Sequence, residues 1–269
     1  MNRRAFSLVE MLAALAAYSV ILLLLAQLAS QAGKLWKRGA DQDACRLRAR
    51  VMLSYVAREL RTAAVPFQKG ATNSFQFLVD PPAAGGRGYP DSVFWQAPIA
   101  TETSAGEMAE VGYFVRWDGG RARLCRFFAN PSAPQYLLSS FPAEWLTPGL
   151  LAEGAPADAA SRYRGLFLEN VLGFWVRAYA ADGTTPLPNP YDSRNAPDPA
   201  HPLPASVELS VAFVDEATAE RLRVRKETGQ VETLARSAQD LPRFLAALPP
   251  WVRQAANGST LRVSMDNYR

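Results

Sequence analysis

Residues 6–29 read FSLVEMLAALAAYSVILLLLAQLA, an apolar stretch that contains one charged residue, Glu10. As a helix rising ~1.5 Å per residue, it would be roughly 36 Å long, which exceeds a hydrocarbon core of about 30 Å. A helix satisfies its own backbone hydrogen bonds in lipid, and no Pro or Gly interrupts this one before Gly33. We therefore predict a transmembrane helix over residues 6–29, with Trp36 close to the membrane interface.

Three interpretations compete for this segment. It could be a plain membrane anchor. It could be a cleaved secretory signal with a cut near Ala32, although such signals have a shorter apolar core of about 7–15 residues. The third interpretation depends on Glu10, because a carboxylate inside an apolar helix costs roughly 2.5–3.5 kcal/mol on insertion. Neither an anchor nor a signal peptide uses that charge, so Glu10 indicates a function within the helix.

The run Ala5-Phe6-Ser7-Leu8-Val9-Glu10, behind a short basic leader, resembles the class III signal of type IV prepilins and type II secretion pseudopilins. The resemblance implies that Met1–Ala5 is a leader peptide and that a prepilin peptidase cuts between Ala5 and Phe6. It also implies methylation of the new amino group of Phe6. Glu10 then stands at the fifth mature position, and its implied partner is the N-terminal amine of a neighbouring subunit. Ala5 replaces the Gly that this family usually carries.

The distribution of basic residues gives a conflicting indication of topology. Only Arg3 and Arg4 precede the helix, and a longer basic series follows it: Lys34, Lys37, Arg38, Arg46, Arg48 and Arg50. A bare count would place the C-terminal side in the cytoplasm. The prepilin interpretation requires a cytoplasmic N-terminus, and large domains translocate largely regardless of charge. We therefore predict a single-pass inner-membrane protein whose C-terminal head lies in the periplasm, with a place in an extracytoplasmic filament.

The helical pattern continues beyond the apolar stretch. Apolar residues recur at helical spacing, and most charged ones are predicted to lie on the other face. The apolar stripe comprises Ala49, Met52, Leu53, Val56, Leu60 and Ala63, and the polar face comprises Arg48, Arg50, Arg58, Glu59 and Arg61. Gly33 and Gly39 mark a junction that could bend, and Pro66 ends the helix. We predict a leader over residues 1–5, a helix over 6–64 and a β-rich globular head over 65–269.

The head reads mainly as short strands, so the predicted fold class is α+β, a pilin-like arrangement with the long helix packed on an antiparallel sheet. Asp118-Gly119-Gly120 predicts a tight hairpin. The predicted strands are 74–80, 92–97, 111–117, 121–128, one apolar strand within 165–179, 206–214 and an edge strand at 260–268. Helices are predicted at 216–225 and 241–248.

Residues 184–204 hold seven prolines and predict a stiff loop between two antiparallel strands, with a contact loop for another subunit as the alternative. The helix, the hairpin and the late pair of long strands are similar to J-type minor pseudopilins of type II secretion. The strand that begins near Leu203-Pro204 and the closing segment 261–268 also resemble the Verru_Chthon cassette protein C family.

Catalytic and metal-binding patterns are weak in this sequence. His201 is the only imidazole, and Asp192, Asp198 and Asp215 lack the alternating spacing of an EF-hand loop. Cys45 and Cys125 either form a disulfide or are two separate thiols. A net charge of +4, spread along the chain, does not indicate nucleic-acid binding. We expect no enzyme activity, no cofactor and no metal.

The sequence therefore predicts a structural subunit of a type IV pilus-like or type II secretion pseudopilus assembly. Its expected partners are other pilin-like subunits, a prepilin peptidase and the inner membrane. The alternative is a membrane-anchored periplasmic binding or adhesive module, with a ligand pocket roofed by residues 184–204.

Overall fold

A 53-residue helix, α1 (Leu8–Leu60), begins the described part of the chain. The computed structural model describes residues 8–64, 75–81, 92–132, 164–198, 201 and 203–265. Ala and Leu, both strong helix formers, dominate α1, and Gly33 and Gly39 lie within its helical residues. Tertiary contacts divide the chain into two compact units, one up to Ala44 and one from Cys45 onward. The second unit therefore includes the last part of α1.

Six strands form the larger sheet of the second unit, in the antiparallel order β5-β4-β3-β2-β1-β7. Their bounds are β1 Phe77–Val79, β2 Ser92–Ala97, β3 Ala109–Asp118, β4 Arg121–Ala129, β5 Arg164–Glu169 and β7 Tyr191–Asp192. The predicted hairpin is confirmed, since Asp118 pairs with Arg121 across a two-residue turn. Gly119 and Gly120 both have positive φ, 55° and 75°, as a type I′ turn requires.

Three strands form the smaller sheet, in the antiparallel order β6-β8-β9. These are β6 Val171–Tyr179, β8 Ser206–Phe213 and β9 Asn257–Ser264. The apolar strand predicted within 165–179 is confirmed as β6. The separate strand β5 before it was not predicted, and Asn170, with a φ of 59°, separates the two strands. The break sends β5 and β6 into different sheets. The edge position predicted for the last strand is confirmed, although β9 begins three residues earlier than predicted.

Four short helices lie between β8 and β9: α2 Glu216–Val224, α3 Thr228–Ser237, α4 Leu241–Ala247 and α5 Pro250–Arg253. The predicted α2 and α4 are confirmed, and the sequence reading missed α3 and α5. Asp215 and Asp240 cap α2 and α4, since their Oδ1 atoms accept the backbone N–H groups of Thr218 and Arg243. These caps satisfy amide groups that would otherwise lack a partner at the start of each helix.

The proline-rich segment does join two antiparallel strands, β6 and β8, as predicted. It is more than a connecting loop, however. Within it β7 pairs with β1 of the larger sheet, and a 3-10 turn follows at Ser193–Asn195. The Ser193 hydroxyl accepts the N–H of Phe77 at 2.9 Å. The chain therefore leaves the smaller sheet, contributes an edge strand to the larger one, and returns.

Two apolar clusters hold the second unit together. The main core lies where the last part of α1 and both sheets meet, and every member of the predicted α1 stripe is buried there: Ala49, Met52, Leu53, Val56, Leu60 and Ala63. The second cluster lies between the other face of the smaller sheet and the short helices, with Trp175 and Phe244 at its centre. The α+β class is thus confirmed, with a long N-terminal helix and antiparallel sheets.

Candidate functional site

The N-terminal part of α1 exposes an unusually large amount of apolar surface. Large apolar side chains are exposed all round the helix: Leu8, Val9, Met11, Leu12, Leu15, Tyr18, Val20, Ile21, Leu22, Leu23, Leu24, Leu25 and Leu28. Patches above a few hundred Å² on soluble proteins mark an interaction or membrane surface. A helix that is apolar on every side is typically covered by lipid or by other helices.

The window Met11–Gly33 is long and apolar enough to cross a membrane, with a mean hydropathy of 2.3. None of this window is buried within the chain. Trp36 follows three residues later and is 83% exposed, which suits an indole at a lipid–water boundary. The Ser19 hydroxyl donates to the carbonyl of Leu15 at 2.8 Å, so one polar group in this window is satisfied inside the helix.

The residues predicted to carry processing and assembly lie at the very start of this segment. Ala5 and Phe6 are outside the described residues. The backbone of Glu10 lies in the first turn of α1, and its side chain is outside the description. Cleavage, methylation and the pairing of Glu10 therefore stay predictions that the geometry leaves untested.

A polar cluster attaches the last turns of α1 to the larger sheet. The carboxylate of Glu59 accepts two hydrogen bonds from Arg126 of β4, at 3.1 Å from Nε and 2.6 Å from Nη2. The hydroxyl of Tyr113, on β3, donates to Oε2 of Glu59 at 2.5 Å. Because Tyr113 and Arg126 are register partners on neighbouring strands, both side chains reach the same helix residue. One helical carboxylate is thus held by two strands.

The cluster shifts the pKa values of two of its members, Tyr113 and Arg126. Burial raises the pKa of the Tyr113 hydroxyl far above its ordinary value of 10.0, and the neighbouring Glu59 charge raises it further. Burial by itself lowers the pKa of Arg126, but the hydrogen bond and charge of Glu59 outweigh it and raise the pKa overall. Tyr113 therefore stays a neutral donor, and Arg126 stays a cation bound to the carboxylate. The guanidinium also lies 4.4 Å from the ring centroid of Phe128.

The cluster corrects one sequence prediction. Glu59 was assigned to the polar, exposed face of the helix, yet it is only 8% exposed. The buried face of α1 is wider than the apolar stripe suggested. Glu59 can be buried because Arg126 donates two hydrogen bonds to its carboxylate and compensates its charge. Helical spacing could not predict this contact, because it depends on the pairing of β3 with β4, which places Tyr113 beside Arg126.

Cys45 and Cys125 lie in the same compact unit on different elements. Cys45 is half-buried on α1 at the margin of the main core, and Cys125 is buried on β4. Side chains alternate between the faces of a strand, so Cys125 lies on the face opposite Arg126, which contacts α1. The disulfide stays a prediction, and counting alkylated thiols in the unreduced, denatured chain checks it.

The remaining polar candidates are engaged in separate local contacts. His201 Nδ1 lies 2.8 Å from Oδ2 of Asp198, and both residues are exposed. Asp192 pairs with Arg194 at 2.6 Å, and Asp215 caps α2. Among residues 8–64, 75–81, 92–132, 164–198, 201 and 203–265, no group of three His, Cys, Asp or Glu side chains is placed to hold a metal ion.

Comparison with solved structures finds several similar chains. The chain is similar to a type IV-like pilin from Thermus thermophilus, with 15% sequence identity and a TM-score of 0.37. The alignment covers 83% of this chain and 97% of the pilin. No protein-family model matches the sequence. No curated protein matches it either.

Proposed function

We propose that this protein is a structural subunit of a type IV pilus-like or type II secretion pseudopilus assembly, built in through α1. The observation that carries the proposal is Glu10, the one charged residue within the apolar stretch 6–29, whose large apolar side chains are exposed from Leu8 onward. A buried carboxylate needs a cationic partner, and a bundle of such helices offers the N-terminal amine of the next subunit.

The proposed pathway begins with insertion of α1 into the inner membrane, with Arg3 and Arg4 on the cytoplasmic side. A prepilin peptidase then removes Met1–Ala5 and methylates the amine of Phe6. The sheet-bearing unit lies in the periplasm, and α1 packs against the α1 helices of other pilin-like subunits. The J-type minor pseudopilin assignment belongs to this proposal and rests on the resemblance of the helix, the hairpin and the late pair of long strands to that family.

The Glu59–Arg126–Tyr113 cluster supports the proposal by its position within the second compact unit. A subunit drawn into an assembly by its helix must keep the end of that helix attached to its sheets. A bidentate arginine and a tyrosine hydroxyl on two paired strands provide such an attachment. Breaking a fully buried pair costs about 3–5 kcal/mol, and we expect a smaller loss here because Arg126 is half-buried.

Glu10→Gln tests the assembly role. The amide is isosteric and removes the charge, so we expect normal membrane insertion and a loss of co-assembly with other pilin-like subunits. Glu107→Gln, an exposed change outside α1, is the matched control and is expected to co-assemble normally. Co-assembly of the Glu10→Gln protein at the level of the control would refute the role given to Glu10.

Processing is tested separately by intact-mass spectrometry of the protein from its native membrane. We expect a mature chain that begins at Phe6 and carries one added methyl group. Ala5→Gly is expected to be processed as well, whereas Ala5→Leu is expected to stay uncut because the family signal requires a small residue there. A chain that starts near Gly33, or one that keeps Met1–Ala5, would favour the signal-peptide or the plain-anchor interpretation.

A further inference from the structure

A cavity of about 450 Å³ opens on the outer face of the smaller sheet. The sheet residues of β6 and β8 form its floor, the start of α4 forms one wall, and residues 187–191 of the proline-rich segment form another. Its charged lining residues are Arg177, Glu208 and Asp240. This volume lies within the range of sites that bind small groups, about 300–1,000 Å³.

The wall formed by the proline-rich segment is held in place from the larger sheet. The Asn189 side-chain amide donates to Oδ2 of Asp80 at 2.7 Å. Two residues later Tyr191 pairs with Val79 in the β1–β7 ladder. Both Tyr191 and Val79 line the cavity, so its apolar wall belongs to a hydrogen-bonded sheet and is formed in advance of any ligand.

Glu208 is the unusual group in this cavity. It lies on the central strand β8, half-buried, with Arg177 on one side and Arg262 on the other in the strand register. Opposite charges at such cross-strand positions ordinarily pair with each other. Within the described part of the chain, however, the Glu208 carboxylate makes no hydrogen bond and no ion pair.

Both neighbouring arginines are engaged elsewhere. Arg177 Nη2 lies 3.8 Å from Oδ2 of Asp240 and donates to the carbonyl of Gln239 at 3.5 Å. Arg262 donates to the Ser206 hydroxyl, at 3.0 Å from Nε, and stacks 4.0 Å from the ring centroid of Tyr179. Among the described residues, the carboxylate of Glu208 therefore faces the cavity between two cations that contact other groups.

We propose that this cavity binds the side chain of a lysine or arginine presented by another polypeptide, with Glu208 as its counter-ion. The apolar wall suits the methylene stem of such a side chain, and the carboxylate suits its charged end. Ser210 and Thr260 also line the cavity, with Oγ of Ser210 2.9 Å from Oγ1 of Thr260. Their hydroxyl oxygens lie on the same face of the sheet as the carboxylate and can accept further hydrogen bonds. The inference does not depend on assembly through α1, so Glu10→Gln should leave it unchanged.

The test uses the full chain in detergent micelles and two acetylated, amidated tripeptides, Leu-Lys-Leu and Leu-Gln-Leu, in saturation-transfer NMR and titration. We expect the lysine peptide to bind and the glutamine peptide to bind at least about tenfold more weakly, as loss of a partly desolvated charge pair implies. Glu208→Gln is expected to reduce binding of the lysine peptide by a similar factor. Glu232→Gln removes an acid of α3 that pairs with Arg236 outside the cavity, and should bind like the unaltered chain.

Circular dichroism of both variants checks that the fold is intact. Since Glu208 makes no ion pair in the described residues, the amide is expected to leave the thermal transition unchanged. A second variant, Ser210→Leu, fills the cavity floor and is expected to abolish binding while leaving Glu208 in place. Equal binding of the two peptides, full binding by Glu208→Gln, or no binding of the lysine peptide up to roughly 5 mM would each overturn the proposal.

Discussion

Arg126 on strand β4 holds the carboxylate of Glu59 on α1 through one edge of its guanidinium, with Nε–Oε2 and Nη2–Oε1 distances of 3.1 and 2.6 Å. The two residues are 67 positions apart in the sequence. Apolar packing alone would let the end of α1 slide or rotate on the larger sheet. The directional hydrogen bonds between Arg126 and Glu59 fix its position there. The predictions about stability begin from this pair.

Replacing Glu59 with Gln is expected to lower the free energy of unfolding by about 2–3 kcal/mol, because Arg126 loses its counter-ion while staying largely buried. The measurement is urea denaturation of the full chain in micelles, followed by tryptophan fluorescence. Glu232→Gln removes a carboxylate from an exposed helical pair with Arg236 and is expected to cost at most about 0.5 kcal/mol. Equal losses in the two variants would contradict the role of the cluster.

Tyr113→Phe isolates the third member. It leaves one carboxylate lone pair without its donor and is expected to cost about 1–2 kcal/mol. The same group predicts a pH dependence. The pKa of Tyr113 is about 10.0 in the unfolded chain and raised in the folded one, so above that pH the unfolded state releases a proton that the native state keeps.

Stability therefore falls as the pH rises above the unfolded pKa of Tyr113, and it is fully present below it. Denaturation at increasing pH should show a shallower fall in the Tyr113→Phe protein than in the unaltered chain. Ultraviolet titration should show one fewer tyrosine that resists ionisation in the variant. Identical pH profiles for the two proteins would rule out this assignment.

Gly112 and Gly229 make a matched pair of glycine substitutions. A Cβ at Gly112, on β3, would lie 2.0 Å from a ring carbon of Phe94, whereas one at Gly229, in α3, would meet no atom within 4 Å. Gly112→Ala is expected to destabilise the fold by about 2 kcal/mol or more through overpacking. Gly229→Ala is expected to stabilise it by about 0.5 kcal/mol, because alanine favours the helix. Thermal melts of both variants check the two opposite signs.

Asn189→Ala tests how the proline-rich segment is fixed. Loss of the hydrogen bond to Asp80 should loosen the segment around β7 and expose Arg194 to trypsin more often. Limited proteolysis is therefore expected to cut after Arg194 faster in the variant. The matched control is Thr233→Ala on α3, whose hydroxyl donates to the carbonyl of Gly229 in the same helix. Cutting at the same rate in both variants would mean that other contacts hold the segment.

Much of the fold could be predicted because its local signals agree with its tertiary contacts. The alternation in β8 and the Asp118–Arg121 turn encode strands and a hairpin that need no distant information. The stripe from Ala49 to Ala63 encodes the buried face of α1 in the same way.

The failures occur where a distant partner decides the outcome. Asn170 ends β5 by adopting a left-handed backbone conformation, and the sequence around it has no turn signal that predicts this. β7 exists only because β1 lies beside it, and two residues cannot carry a periodic signal. Glu59 is buried because Arg126 and Tyr113 meet it, and helical spacing alone places an acid outside. The cavity beside Glu208 likewise depends on three separate segments coming together.

The excursion of the chain through β7 has a mechanical consequence. Between β6 and β8, the backbone pairs with β1 at the edge of the larger sheet. Separating the two sheets would therefore require the β1–β7 hydrogen bonds to break. Tension applied to either sheet is thereby shared by both, and the two should yield in a single cooperative step. If α1 is drawn into a filament, as we propose, the β1–β7 pairing would help the two sheets to stay together under the applied force.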